Sequence, residues 1–391
     1  MLDLASFFET ASLAEERLGR MNVDRSGQSR FVNGCILVLI YFVAAAASFN
    51  GFYDKWNLRD SQVFPGVSIE AILGGTADRP FAYRMLLPWI ANHVDAALPA
   101  QMKNRIMAKA LLPDGSLFTK IKSPVAKDPR YLIRYHLIYY MAFLFLFASM
   151  FAMRWACREV AIDRVSAALA PVIFVLFLPF LLTIGGFFYD LSEIFFFMLA
   201  TALALSRRYW PLLVLVAALG ALNKESFVLL TPALYPLLRT HLPAWRAAIF
   251  SGVLAAVSGT IGFAVSRHFR ANPGPVALPH LGRNLLFYIN PRNLFQHEVN
   301  YGLVTFRGYN IIFVVLIAVL LLRAWKPLPV QVRQHIAIAA VINLPLLFAV
   351  CAPGELRNLS LLYPGLLFLI AQAVALWAGA VPLSLHKESL L

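Results

Sequence analysis

Apolar runs of about twenty residues recur along this chain, and a run of that length suffices to cross a bilayer as a helix. Within hydrocarbon the backbone must satisfy its own hydrogen bonds, so such runs dictate helices. With 60% hydrophobic residues and a mean hydropathy of +0.69, no stretch remains that could bury a separate soluble core. The expected fold class is therefore all-α, a polytopic membrane helical bundle forming a single integral-membrane domain over residues 1–391. The formal charge of +14 has to be placed by topology before any partner is read from it, and no nucleic-acid partner is expected. Cys35, Cys157 and Cys351 lie in or beside apolar runs without metal-like spacing and read as packing residues.

One run is broken at its middle. Residues 210–238 are apolar except for Asn223-Lys224-Glu225-Ser226. Each arm, 210–222 and 227–238, makes a helix of about 20 Å, short for a full crossing. A helical hairpin with its charged tip at one membrane face is the simplest geometry. Charges at such a place face a protein interior or a wet cavity.

Arginine distribution orients the rest. Residues 1–30 read as a cytoplasmic amphipathic N-terminus, with a surface helix over 6–18 and then Arg20, Arg25 and Arg30 before the first span, 31–48. The mixed charge of these residues does not read as a cleavable leader. A long first loop, 50–134, contains an amphipathic segment at 85–98 that reads as an interfacial helix. Further spans are expected at 135–153, 166–184, 191–205, 247–265, 311–322, 335–350 and 359–378. With the hairpin this makes about ten membrane segments, with both termini cytoplasmic. The short inner loops hold Arg154, Arg158, Arg164, Arg207, Arg208, Arg239, Arg246, Arg323, Lys326 and Arg333. The late loop, 266–310, is basic although it falls on the outer side.

This topology puts the unusual charges on one face: Asp54, Asp60, Arg79, Arg84, Asp190, Glu193, Lys224, Glu225, Arg283, Arg292, His297, Glu355 and Arg357. Bases at headgroup depth can hold phosphate oxygens, and a carboxylate can take a proton from a hydroxyl. Each residue also has a structural reading. Asp54 and Asp60 could be solvated loop acids, Asp190 a helix N-cap, Arg84 a snorkelling side chain, and Glu355 with Arg357 a structural pair. The spacing of Asp190 and Glu193 puts both on one helix face. No GxSxG or Walker pattern occurs, and the histidines are too scattered to suggest a metal centre.

The order of parts resembles the GT-C superfamily of polytopic glycosyltransferases: a first span, a long extracytoplasmic loop with an acid soon after the span, then many spans with short turns. Arg79-Pro80-Phe81-Ala82-Tyr83-Arg84-Met85-Leu86-Leu87-Pro88 is similar to a signature of bacterial membrane proteins related to that superfamily. Tyr189-Asp190-Leu191, Asn223-Lys224-Glu225-Ser226 and Glu355-Leu356-Arg357 look like its later signatures. The resemblance implies sugar transfer from a polyprenyl-phosphate donor to an envelope glycan or lipid acceptor at the outer face of a bacterial plasma membrane. It implies a first-loop acid as general base, Asp54 matching best by position and Asp60 next. Arg84, Asp190, Glu193, Lys224, Glu225, Arg283, Glu355 and Arg357 are the expected substrate-binding residues. Arg84, Lys224 and Arg357 are expected at the donor phosphate, with Glu225 orienting Lys224 and Glu355 orienting Arg357. No cofactor is expected, with a divalent metal left open. A polysaccharide polymerase or ligase with a lipid-diphosphate donor, a flippase for an anionic lipid-linked substrate and a non-catalytic envelope scaffold are the alternatives.

Overall fold

The structure, a computed structural model, describes residues 31–56, 65–110, 121–182, 186–275 and 279–379. Among the described residues, seven helical segments are long and apolar enough to cross a membrane, and the chain is an integral membrane protein. They are α1 (Phe31–Trp56), α5 (Leu132–Glu159), α6 (Arg164–Leu181), α7 (Phe188–Leu205), α10 (Ala244–His268), α13 (Val330–Val350) and the continuous segment Leu356–Trp377. The last begins as a 3-10 turn, Leu356–Leu362, and continues as α14 (Tyr363–Trp377). Three apolar helices are shorter: α8 (Leu213–Asn223), α9 (Phe227–Leu238) and α12 (Ile311–Ala324). The first loop carries α2 (Ile69–Leu73), α3 (Leu86–Ala97) and α4 (Ala100–Ala110), and the late loop carries α11 (Leu281–Ile289).

Residues up to Ala44 and residues from Ala45 onward form separate compact units. The described part of the first unit, residues 31–44, is helical and mostly exposed. The second unit is organised around α7, of whose apolar stretch 89% is buried, against 22% for α10. A helix apolar on all sides belongs inside a bundle. Ser192, Ala200, Thr201, Ala202 and Ala204 are small enough for neighbouring backbones to approach it closely. Its neighbours are α5, α8 and α9. The α8–α9 hairpin closes tightly because Gly220 has no side chain; a Cβ there would meet the Phe227 ring at 2.3 Å.

α3 has 12 residues, too few to cross, and buries Leu86, Leu87 and Ala91 while Trp89 and Val94 stay exposed. That is the amphipathic character expected for 85–98.

Two expectations are corrected. The first span does not stop near residue 48. α1 continues to Trp56 because Phe52, Tyr53 and Trp56 bury themselves in an aromatic cluster, with Trp56 stacked on Tyr135 at 5.7 Å. Asp54 is therefore on the last turn of a helix, not in the loop. The late loop also adds a small sheet to an otherwise helical chain. β1 (His297–Asn300) pairs antiparallel with β2 (Leu303–Phe306). Tyr301 and Gly302 between them both have positive φ, as a two-residue hairpin turn requires.

Candidate functional site: a buried charge network beneath a cavity

The N-terminus of α7 supplies the first two charges. Asp190 accepts a hydrogen bond at 2.9 Å from the backbone N–H of Phe187, satisfying an otherwise orphaned helix-start donor. Glu193 follows three residues later on the same face. Both carboxylates are 2% exposed, so each needs a partner.

The partners come from two other breaks in the helices. Lys224, in extended conformation at the elbow between α8 and α9, places Nζ 2.7 Å from Glu193 and 3.6 Å from Asp190. The elbow is pinned because the Asn223 amide donates to Tyr189 O at 3.1 Å and accepts from Ser192 Oγ at 2.5 Å. Arg357, in the 3-10 turn before α14, donates to Asp190 at 3.2 Å and to Glu355 at 2.5 and 2.8 Å. Ser226 and Ser360 both donate to the second oxygen of Glu193, at 2.6 and 3.0 Å.

A third cation arrives from the first loop. Arg84 is buried, forms an ion pair with Glu225, and lies over the Tyr189 ring at 5.3 Å. Burial pushes its guanidinium below the usual range, while the fields of Tyr189 and Glu193 oppose that shift; the group remains charged. The same ring lies 5.9 Å from Lys224 Nζ, and Phe187, stacked on Tyr189 at 5.1 Å, lies under Arg357. Aromatic faces thus stabilise cations that have little water.

Above this network is a cavity of about 570 Å³. Arg84, Lys224, Glu225, Glu355 and Arg357 line it, together with Asp78, Arg79 and Tyr189. The segment after α10 shapes one wall. The Asn272 amide donates to Gly75 O and Ala77 O at 2.9 and 2.8 Å, and Arg79 N–H donates to Pro273 O at 2.8 Å. Gly274 approaches Arg79 with φ of +86°, a conformation that favours glycine. These contacts hold Asp78 at the cavity, and no hydrogen bond to its carboxylate is formed among the described residues.

The residues singled out from sequence divide as follows. Arg84, Lys224, Glu225, Glu355 and Arg357 come together at the cavity, and Asp190 with Glu193 pairs Lys224 and Arg357 from below. Glu355 holds Arg357 as expected, but Glu225 holds Arg84 and not Lys224; the buried acids Glu193 and Asp190 take the lysine instead. Asp54 does not line the cavity. It is half exposed and paired with Lys122 at 3.0 Å. Arg283 is exposed on α11 and away from the cavity lining, and His297 stacks on Phe306 in the hairpin. Asp60 lies outside the described residues. Sequence reasoning assigned no role to Asp78 or Tyr189, although both adjoin residues it singled out. Among the described residues no group of three or more His, Cys, Asp or Glu side chains is placed to hold a metal ion.

No family model matches the chain, and no curated protein or solved structure does either.

Proposed function

We propose that this chain is a membrane glycosyltransferase of GT-C type, with about ten membrane segments and both termini cytoplasmic. It would move a sugar from a polyprenyl-phosphate donor to a hydroxyl of an envelope glycan or lipid at the extracytoplasmic face of a bacterial plasma membrane. The observation that carries the reading is the convergence of Arg84, Lys224 and Arg357 on one cavity whose wall also includes Asp78, a carboxylate that forms no ion pair among the described residues.

In this reading Asp78 replaces Asp54 as the first-loop base. It accepts the proton of the acceptor hydroxyl as the new bond to the sugar's anomeric carbon forms. The bond from that carbon to the carrier phosphate oxygen breaks, and the electron pair leaves with the phosphate. A phosphodiester carrying one negative charge becomes a monoester with a second, and preorganised cations stabilise charge that develops during transfer. Three cations meet four carboxylates in the network, so the site has no standing excess of positive charge. That balance favours a monophosphate carrier over a lipid diphosphate. Glu225, with its side chain 42% exposed, can yield Arg84 to the phosphate, whereas Glu193 at 2% cannot readily move.

One observation favours the flippase reading: α8 and α9 form a short, broken pair around a buried charge, as transporters often use. A reconstituted assay separates the two. With a radiolabelled polyprenyl-phosphate sugar and a bacterial envelope extract as acceptor, a transferase moves label out of the lipid and releases polyprenyl phosphate. Movement of intact labelled lipid between leaflets without release would support the flippase and overturn the transferase.

A further inference from the structure

A second cavity, of about 390 Å³, shares Arg84 as a wall with the first. Its other walls are the turn at Gly75, the exposed side of α3 at Trp89, Asn92 and His93, and His268 at the end of α10. Its volume is in the range of small-molecule sites.

The lining chemistry excludes most ligand classes. Among the described residues no carboxylate lines the cavity, so a cation finds no counter-charge from them. Its one arginine, Arg84, pairs with Glu225, which lines the first cavity and not this one, so an anion here would have to draw the guanidinium away from that side. Asn92 is committed, donating to Leu73 O at 3.0 Å and accepting from Arg134 at 3.3 Å. A plain hydrocarbon chain would cover the two imidazoles without offering them a hydrogen bond. The groups left over are an indole face and ring nitrogens. Trp89 is 53% exposed, with its ring 4.2 Å from that of His93. His93 Nδ1 lies 2.8 Å from Trp89 O, and a ring nitrogen facing a carbonyl carries the proton. With that proton on Nδ1, Nε2 is an acceptor in the neutral form of the ring.

An aromatic face beside hydrogen-bond acceptors, with no free charge, suits a neutral ring that has C–H faces and hydroxyl edges. We infer that the second cavity is a sugar-binding subsite, with a pyranose stacked on Trp89 and a hydroxyl donating to His93 Nε2. Because the two cavities share Arg84, a sugar here lies one side chain away from the first cavity. Its role as the acceptor subsite rests on the glycosyltransferase reading; sugar binding itself does not.

The test is saturation-transfer NMR on the full chain in nanodiscs with a panel of methyl glycosides, alongside binding of radiolabelled undecaprenyl phosphate. At least one glycoside should receive saturation on its ring protons. Trp89→Ala should weaken its binding about tenfold, as expected for loss of a stacked aromatic. Trp89→Phe should keep most of the affinity, and Arg79→Ala, at a wall of the first cavity only, should leave it unchanged. No transfer to any glycoside, or unchanged affinity in Trp89→Ala, overturns the subsite. Glycoside binding without undecaprenyl-phosphate binding keeps the sugar site and removes the donor reading. Lipid-phosphate binding without glycoside binding does the reverse.

Discussion

Arg357 donates to both carboxylate oxygens of Asp190, at 3.2 and 3.3 Å, across 167 positions of chain. The pair ties the turn before α14 to the start of α7, with side chains 8% and 2% exposed. Breaking a buried pair on one side strands a charge and costs about 3–5 kcal/mol. Asp190→Ala and Arg357→Ala should each lower the thermal unfolding midpoint markedly in detergent. Arg357→Lys keeps the charge but loses the fork that reaches two acids, so it should fall between. An unchanged midpoint in both alanine variants would show that the pair does not hold the bundle together.

The base assignment predicts opposite results for two first-half acids. Asp78→Asn keeps size but loses basicity, and turnover should drop about 10²–10⁴-fold with donor binding retained. Asp54→Asn should keep near-wild-type turnover, because Asp54 sits with Lys122 away from the cavity. Loss of turnover in Asp54→Asn alone would return the base to the end of α1.

If the cavity takes the carrier phosphate, Glu225 competes with it for Arg84. Glu225→Gln should therefore tighten undecaprenyl-phosphate binding several-fold, by about 1 kcal/mol for a partly exposed partner. Glu355→Gln should not, since Glu355 is 13% exposed and holds both Arg357 and the backbone N–H of Ala352. Weaker binding in Glu225→Gln would mean that Glu225 orients Arg84 and does not block it.

Topology is tested by reporter fusions. Those at Arg207, Arg239 and Lys326 should report cytoplasm, and those near Asp54, Gly186 and Pro353 the opposite side. Cytoplasmic signals at Gly186 and Pro353 would put the charge network on the wrong face for an extracytoplasmic transferase.

The membrane helices were readable because hydrocarbon admits few alternatives: runs such as 188–205 and 244–268 leave the backbone one way to bond itself. The end of α1 was not readable. Asp54 and Lys55 look like the start of a loop, and only packing of Tyr53 and Trp56 against aromatics more than 70 positions away, with Phe52 beside Trp56, continues the helix. The gathering of Arg84, Lys224 and Arg357 at the cavity was legible because charges beside apolar runs are costly and must converge on something. Their pairing was not. Glu225 adjoins Lys224 in sequence but points to Arg84, because the elbow at Lys224 turns successive side chains apart. Asp78 was hidden for a similar reason: its position depends on Asn272, Pro273 and Gly274, almost two hundred residues later.

A transferase of the proposed kind must hold a lipid-linked phosphate in the cavity over Tyr189. Electron cryomicroscopy of the chain in nanodiscs with undecaprenyl phosphate tests it most directly. Phosphate density should appear within hydrogen-bonding distance of Arg84, Lys224 or Arg357, with Glu225 turned away from Arg84. Phosphate density elsewhere on the bundle, with the Arg84–Glu225 pair intact and the cavity empty, would contradict it.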